Sequence, residues 1–174
     1  EETSYHTPKV TVRWSKGYYH QTEYDASSDT IFLSSTEEAE DATNVDSILH
    51  QYGHFIEDQI IADWHTTTAG AAYDWSEGLA TFTAAALLTD DRTPIESLDQ
   101  VYSVTLENND KYGELDRASK NRAVTQLLYD IMDGGEDDGE DMLQLPFSYI
   151  FKVVDEKDSH TVSEFWRHWF GTYN

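Results

Sequence analysis

The spacing of hydrophobic residues changes near residue 43, and this change separates two kinds of predicted structure. Before it, residues 9–14 alternate between apolar and polar positions, which predicts a half-buried strand. Residues 30–34 predict a second strand, which follows the turn-forming sequence Ser27-Ser28-Asp29. After residue 43, apolar residues recur at steps of three and four, which is the period of an amphipathic helix. The pattern therefore predicts strands first and helices afterwards, an α+β organisation.

Two neighbouring helices open the helical part. The first is predicted over residues 44–62, and Asp74 is predicted to cap the second, which continues to about Leu88 with Glu77 at the capping-box position. A loop over residues 66–71 joins them. The buried stripe of the first helix is predicted to comprise Val45, Ile48, Leu49, Tyr52, Phe55, Ile56 and Ile60.

Four further helices are predicted towards the C-terminus. They cover residues 95–106, residues 119–132, a segment that follows Pro146, and a segment that starts at Thr161. Thr161 and Glu164 have the spacing of a second capping box. No repeat or linker divides the sequence, so its 174 residues predict one domain.

Composition and charge narrow the function. The net charge of −23 disfavours nucleic acid and anionic membrane as partners, and a solvated acidic surface is favoured over a specific cationic partner. The absence of cysteine excludes thiolate metal ligands, disulfides and cysteine nucleophiles. The longest nearly apolar stretch, Leu79 to Leu88, is too short to span a bilayer. No signal peptide is visible, and Glu1 is not an initiator methionine, so we expect a processed piece of a longer chain.

Three side chains from the two neighbouring helices suggest a metal centre. His50 and His54 are four residues apart and so share one helix face, while Glu77 lies on the next helix. Two imidazoles and a carboxylate can occupy three corners of a zinc tetrahedron and leave the fourth for water, as in catalytic zinc sites. The alternatives are two partly exposed histidines and an ordinary capping glutamate. Because a short loop brings all three together, the joint metal interpretation is favoured.

The same segments resemble the gluzincin metallopeptidases, the group of thermolysin and the zinc aminopeptidases. Residues 50–54 read His-Gln-x-x-His where the family has His-Glu-x-x-His. Ser76-Glu77-Gly78-Leu79-Ala80 is similar to the Asn-Glu-Gly-Phe-Ala signature of the aminopeptidase branch. The resemblance covers residues 43–88 closely. A weaker one links residues 121–133 to a helix of secreted microbial members.

The resemblance implies a zincin-like α+β fold with a small N-terminal sheet, an active-site helix and a mainly helical C-terminal half. It implies one catalytic zinc ion, held by His50, His54 and Glu77, and attack of zinc-activated water on a peptide or protein substrate, its own chain included. It also implies an edge strand, assigned to Ile31–Ser35, that binds extended peptide by strand addition.

The expected organisation is a single metallopeptidase-like catalytic domain over residues 1–174. Residues 1–64 would hold the sheet and zinc helix, and residues 65–174 the helical half with the glutamate helix. An extracellular or cell-surface location and a microbial precursor are expected from the same resemblance.

Gln51 is the largest departure from the family pattern. It occupies the position of the general-base glutamate, and its amide has no basic oxygen that could remove a proton from water. The predicted protein therefore binds zinc and substrate but lacks hydrolytic activity. We favour an engineered inactivating substitution over a natural zinc-binding pseudoprotease that binds peptide or protein. An acidic helical interaction domain without metal is the third interpretation.

Other departures concern the surroundings of the metal. Ser76 replaces the asparagine of the signature, and Thr81 stands where thermolysin-like members have an aspartate that orients a histidine, so the outer shell must differ.

The oxyanion-stabilising residue is not fixed by the sequence. The candidates are Tyr112, Tyr129, Tyr149, His160 and His168. Core packing is favoured for Tyr129 and a structural role for His168.

The acidic segment 133–141 could hold calcium, but its spacing does not match an EF-hand, and a solvated turn is favoured.

Overall fold

A computed structural model describes residues 9–17, 21–35, 43–61, 70–88, 95–96, 103–104, 117–133 and 145–173. Its strands are β1 (Thr11–Trp14), β2 (Glu23–Asp25), β3 (Thr30–Leu33), β4 (Ile95–Glu96) and β5 (Ser103–Val104). Its helices are α1 (Val45–Ile60), α2 (Ala71–Leu88), α3 (Arg117–Asp133), α4 (Phe147–Lys157) and α5 (Val162–Tyr173). A small N-terminal sheet and a mainly helical remainder confirm the predicted α+β class.

The N-terminal sheet has the order β1-β3-β2. β1 runs parallel to β3, with Thr11 opposite Thr30, and β2 runs antiparallel to β3, with Tyr24 opposite Ile31. Two of these strands were predicted, whereas β2 was not, because its three residues are too few to establish an alternating pattern.

The prediction that Ile31–Ser35 forms a peptide-binding edge strand is wrong. β3 is the central strand, and its hydrogen-bonding groups on both sides are used by β1 and β2. The sequence could not reveal this, because strand order depends on pairing partners and the middle partner follows both others in the chain. Among the described strands of this sheet, β1 and β2 are the edges.

The most buried face of α1 is polar. Asn44 caps the helix by accepting a hydrogen bond from the Ser47 backbone N–H at 3.1 Å. Most residues of the predicted apolar stripe are only partly buried, and Val45 is exposed. The buried residues of this helix are Ser47, His50, Gln51, Gly53, His54, Phe55 and Glu57. Because burial of polar groups is costly unless they find partners, this face must be matched by the element that covers it.

That element is α2, which lies between α1 and α3. Two glycines allow the close approach. A Cβ on Gly53 of α1 would lie 2.7 Å from the Ala80 Cα, and a Cβ on Gly78 would lie 2.4 Å from the Val124 Cβ of α3. Helix α2 is therefore held between two partners at backbone distance.

Two predictions for residues 71–106 are corrected, one on where α2 begins and one on the type of the element that follows it. α2 begins at Ala71, so Asp74 lies in its first turn instead of capping it. The helix predicted over residues 95–106 is wrong where the structure describes that segment, because β4 and β5 pair there as antiparallel strands with Ile95 opposite Val104. Both paired residues are β-branched, a residue type that favours strands.

The C-terminal helices follow the predictions closely. α3 covers the predicted residues 119–132, and α4 starts directly after Pro146. At the start of α5 the Thr161 hydroxyl accepts from the Glu164 N–H at 3.2 Å, and the Glu164 carboxylate accepts from the His160 N–H at 3.0 Å. The predicted capping pair is thus present, with the return bond one residue earlier than in a standard capping box.

Aromatic contacts attach these helices to α2. Trp75 lies 5.3 Å from Phe165 between ring centroids, and Phe82 lies 5.6 Å from Phe147. All but Phe147 are fully buried, so α2 is the centre of the core as well as the partner of α1.

The Gly53→Ala substitution should test the approach of the two helices. The added methyl group would overlap the Ala80 backbone, so we expect a loss of about 1–3 kcal/mol in the free energy of unfolding. Thermal denaturation should then show a midpoint lowered by roughly 2–4 °C per kcal/mol. Gly171→Ala is the matched control, because nothing lies within 4 Å of its added Cβ. An unchanged midpoint in Gly53→Ala would contradict the described packing.

Candidate metal centre

The structure brings His50, His54 and Glu77 together. The two Nε2 atoms lie 3.1 Å apart, His50 Nε2 lies 3.4 Å from Glu77 Oε2, and His54 Nε2 lies 3.6 Å from Glu77 Oε1. The imidazoles are buried and meet edge to face at 89°, while the Glu77 carboxylate is partly exposed. Within the part of the chain that the structure describes, no other set of three such residues comes this close together. The three residues singled out from the sequence thus form one cluster.

Thr81 fixes the orientation of His50. Its hydroxyl donates to the Glu77 carbonyl oxygen at 2.8 Å, so its oxygen is available as an acceptor for His50 Nδ1, which lies 3.1 Å away. This partner assigns the proton of neutral His50 to Nδ1 and leaves a lone pair on Nε2, towards the cluster. Thr81 stands where thermolysin-like sequences have an aspartate that orients a histidine. Its hydroxyl oxygen supplies a hydrogen-bond acceptor in place of that carboxylate.

Ser76 and Glu57 do the same for His54. The Ser76 hydroxyl donates to Glu57 Oε2 at 2.5 Å and lies 3.3 Å from His54 Nδ1. Glu57 Oε2 itself is 3.8 Å from the same nitrogen. Both neighbours are acceptors for an Nδ1 proton, so neutral His54 also has its lone pair on Nε2.

The centre of the cluster is consequently rich in electrons. With both rings neutral, two Nε2 lone pairs face each other beside the two carboxylate oxygens of Glu77. Such an arrangement is unfavourable unless a positive charge lies among these atoms, either a proton shared between the rings or a metal cation.

The pKa shifts have the same cause. Burial lowers the pKa of His50 below its ordinary value, and a charge on His54 adds to the effect against the pull of Glu77. Burial would also lower the pKa of His54, but Glu57 and Glu77 outweigh it and raise that pKa. Of the two rings, His54 is therefore the one that accepts positive charge more readily.

Glu77 remains ionised despite its burial. Desolvation would raise its pKa, but the neighbouring His50 and His54 and a hydrogen bond from the Tyr73 hydroxyl lower it. Tyr73 precedes Glu77 by four residues, one turn of α2. The cluster is thus built to present an anionic oxygen at the two imidazoles.

Gln51 lies on the same buried face of α1 as the two histidines. It directly follows His50, which is the position of the general-base glutamate in the family that the sequence resembles. The residue is 5% exposed, so it is shielded from bulk solvent.

The oxyanion candidates that the structure describes have other packing and hydrogen-bond partners. Tyr129 belongs to the hydrophobic core, which agrees with the favoured packing role, and Tyr149 is exposed and stacks on Tyr173 at 5.2 Å. His168 Nδ1 lies 2.8 Å from the Ser159 hydroxyl, and His160 pairs with an aspartate on the adjoining turn. Tyr112 lies outside the described residues.

The acidic segment proposed for calcium also lies outside the described residues, apart from Asp133 at the end of α3.

Sequence reasoning missed the supporting residues Glu57 and Tyr73, and it noted Ser76 only as a departure from the family signature. The spacing of Glu57 and Tyr73 offered a signal. Glu57 is three residues after His54, and Tyr73 is four residues before Glu77, so each shares a helix face with a cluster residue. Spacing alone could not establish their roles, since the contacts depend on how α2 crosses α1.

The class of the molecule is thus an α+β domain with a buried pair of histidines on one helix and a carboxylate on the next. Comparison with known families gives a match to the Mycolysin C-terminal domain over residues 1–174. The chain belongs to this family, which places it in a peptidase-related context. No curated protein and no solved structure matches it. In the part of the chain that the structure describes, no helix is long and apolar enough to cross a membrane.

Removal of the Thr81 hydroxyl should change the protonation site of His50. In Thr81→Val the Nδ1 acceptor is lost, so we expect the Nε2–H form of the neutral ring to become populated. Nitrogen-15 NMR of the histidine side chains in metal-free protein distinguishes the two forms. Thr83→Val is the matched control, because the Thr83 hydroxyl donates to Leu79 O at 2.7 Å and is also buried. A His50 spectrum that is the same in both variants would refute the role of Thr81.

Proposed function

We propose that this chain is a metallopeptidase-type domain that holds one zinc ion through His50, His54 and Glu77, and that Gln51 leaves it without hydrolytic activity in this form. The observation that carries the proposal is the close approach of three potential ligands: two Nε2 atoms 3.1 Å apart lie beside the Glu77 carboxylate. Membership in a peptidase-related family supports the same assignment.

The donor atoms suit zinc in kind and in spacing. Two imidazole nitrogens and a carboxylate oxygen form the His₂Glu set of catalytic zinc sites. Zinc-to-ligand bonds of 2.0–2.1 Å imply ligand separations of about 3.3–3.4 Å in a tetrahedron. The distances from His50 Nε2 to His54 Nε2 and Glu77 Oε2, 3.1 and 3.4 Å, and the 3.6 Å from His54 Nε2 to Glu77 Oε1 bracket that value. Small side-chain adjustments would make them uniform.

The reaction that this site suggests is hydrolysis of a peptide bond. Zinc, when bound, polarises a carbonyl group and makes water more acidic. The chain must provide the base that accepts the proton from water and returns it to the leaving amine. The Gln51 amide can hydrogen-bond to water but cannot accept that proton, so the loss of a general base should reduce the rate by about 10²–10⁴.

A second candidate function follows from the same residue. With the ligand residues together and no base at Gln51, the protein would act as a zinc-binding pseudoprotease that retains a peptide or protein without cutting it. Peptide addition to the sheet would then use one of the two edge strands, β1 or β2, because β3 is central. The substrate, including the chain itself, and an extracellular or cell-surface location remain predictions.

Zinc binding is the first test. Metal-depleted protein dialysed against zinc should retain about one ion per chain, and His54→Ala or Glu77→Ala should weaken binding by more than the roughly 10–100-fold of an outer-shell change. Metal analysis and competition with a chromophoric chelator measure both quantities. His160→Ala provides a histidine control, because that ring pairs with Asp158. Failure of the unaltered, folded protein to retain zinc would refute the metal centre.

The Gln51→Glu substitution tests the reaction. We expect chelator-sensitive cleavage of a mixed peptide library, or of the chain itself, at a rate about 10²–10⁴ times that of the unaltered protein. Mass spectrometry and gel electrophoresis detect the products.

Gln59→Glu is a matched control for this experiment. It makes the same chemical change on the same helix at an exposed position, so it should not confer activity. A Gln51→Glu protein that binds zinc and cleaves nothing would favour the pseudoprotease.

A further inference from the structure

Glu57 is a fully buried carboxylate next to the candidate metal centre, at 0% exposure. Ionisable side chains are rarely enclosed to this degree unless they are paired, because removal of a charge from water is costly. Glu57 is not one of the three residues expected to bind the ion, and its position after His54 in α1 directs it to the far side of that ring. The burial of this carboxylate therefore needs an explanation in its contacts.

The contacts of Glu57 lead to His54. Its Oε2 atom accepts from the Ser76 hydroxyl at 2.5 Å, and the oxygen of that hydroxyl lies 3.3 Å from His54 Nδ1. The direct distance from Oε2 to Nδ1 is longer, 3.8 Å. The serine is thus the hydrogen-bonded intermediary between the carboxylate and the ring, and it joins α2 to α1 behind the cluster.

We propose that Glu57, through the Ser76 hydroxyl, is the positioning residue for His54, and that its charge strengthens the binding of a dication at the cluster. This inference rests on the proposed function. Ser76 accepts the Nδ1 proton only because its own proton is directed to Glu57, so the carboxylate fixes the direction of the whole chain of hydrogen bonds. The Nε2 lone pair of His54 is thereby held towards His50 and Glu77.

Charge adds to orientation. With Glu57 and Glu77 both ionised, two negative charges would lie around two neutral imidazoles, and a divalent cation would balance them. A carboxylate behind a histidine ligand also raises the basicity of the ring. His50 has the neutral Thr81 hydroxyl, and not a carboxylate, at hydrogen-bond distance from its Nδ1. The two histidines would therefore be unequal ligands, and His54 would contribute the stronger bond.

The test compares zinc affinity in four variants by chelator competition. Glu57→Gln keeps the shape and removes the charge, and it should weaken zinc binding about 10–100-fold. Ser76→Ala breaks the connection and should weaken binding by about tenfold or more, whereas Ser76→Thr keeps a hydroxyl and should restore most of the affinity. Asp58→Asn is the matched control. It removes one charge from the next residue, whose carboxylate accepts from Tyr24 at 2.7 Å, and it should leave the affinity within about threefold.

A second measurement separates positioning from a structural role. In metal-free protein, nitrogen-15 NMR should show that His54 loses its preference for the Nδ1–H form in Ser76→Ala and regains it in Ser76→Thr. This readout is available even if Glu57→Gln does not fold. A merely structural residue would change the thermal midpoint without changing the His54 spectrum or its recovery.

The outcomes distinguish this inference from the proposed function. Zinc binding by the unaltered protein, with equal affinity in folded Glu57→Gln and Ser76→Ala, would overturn the role of Glu57 and leave the metal centre intact. An unaltered His54 spectrum in Ser76→Ala would also overturn it. Absence of zinc binding by the unaltered protein would instead refute the metal centre itself.

Discussion

The close contact between α1 and α2 at Gly53 and Ala80 is the constraint on which the rest of the site depends. A Cβ at residue 53 would lie 2.7 Å from the Ala80 Cα, so only glycine permits this crossing. The contact lies one residue before His54 and three residues after Glu77. At that separation the Glu77 carboxylate reaches both imidazoles. The residues beside these points, Thr81 and Ser76, reach the outer nitrogens of the same rings.

This crossing also explains how a polar helix face can be buried. Burial of His50, His54 and Glu57 would be unfavourable against an apolar surface, because each would lose its hydrogen bonds to water. Helix α2 offers a hydroxyl or carboxylate to each of these three residues. Helix α1 buries polar residues and leaves much of its apolar stripe only partly buried, which is the reverse of what packing alone would favour and is typical of a functional site.

The sequence predicted the parts of the fold that depend on local spacing. The strands near residues 11 and 30, helix α1, helix α3 and the capped start of α5 are all present. Errors arose where the outcome depends on distant partners. Strand β2 is short and is defined by its pairing with β3, and the central position of β3 follows from that pairing. Residues 95 and 104 were predicted to lie in one helix but pair as strands.

The candidate site was likewise predictable from the sequence only in the part that depends on local spacing. The i, i+4 histidines and the downstream glutamate are a motif of sequence, so their gathering could be expected. The supporting contacts of Thr81, Ser76 and Glu57 join two helices, and no spacing within one helix specifies them.

The glycine contacts on both sides of α2 have a consequence for how a metal would enter. Gly53 holds this helix against α1, and Gly78 holds it against α3, so its position is set by packing. The proposed ligand cage would thus be pre-formed, unlike that of a zinc finger, whose chain folds around its ion. Uptake and release of the ion would be an exchange reaction of a folded protein, governed by access through the partly exposed side of Glu77.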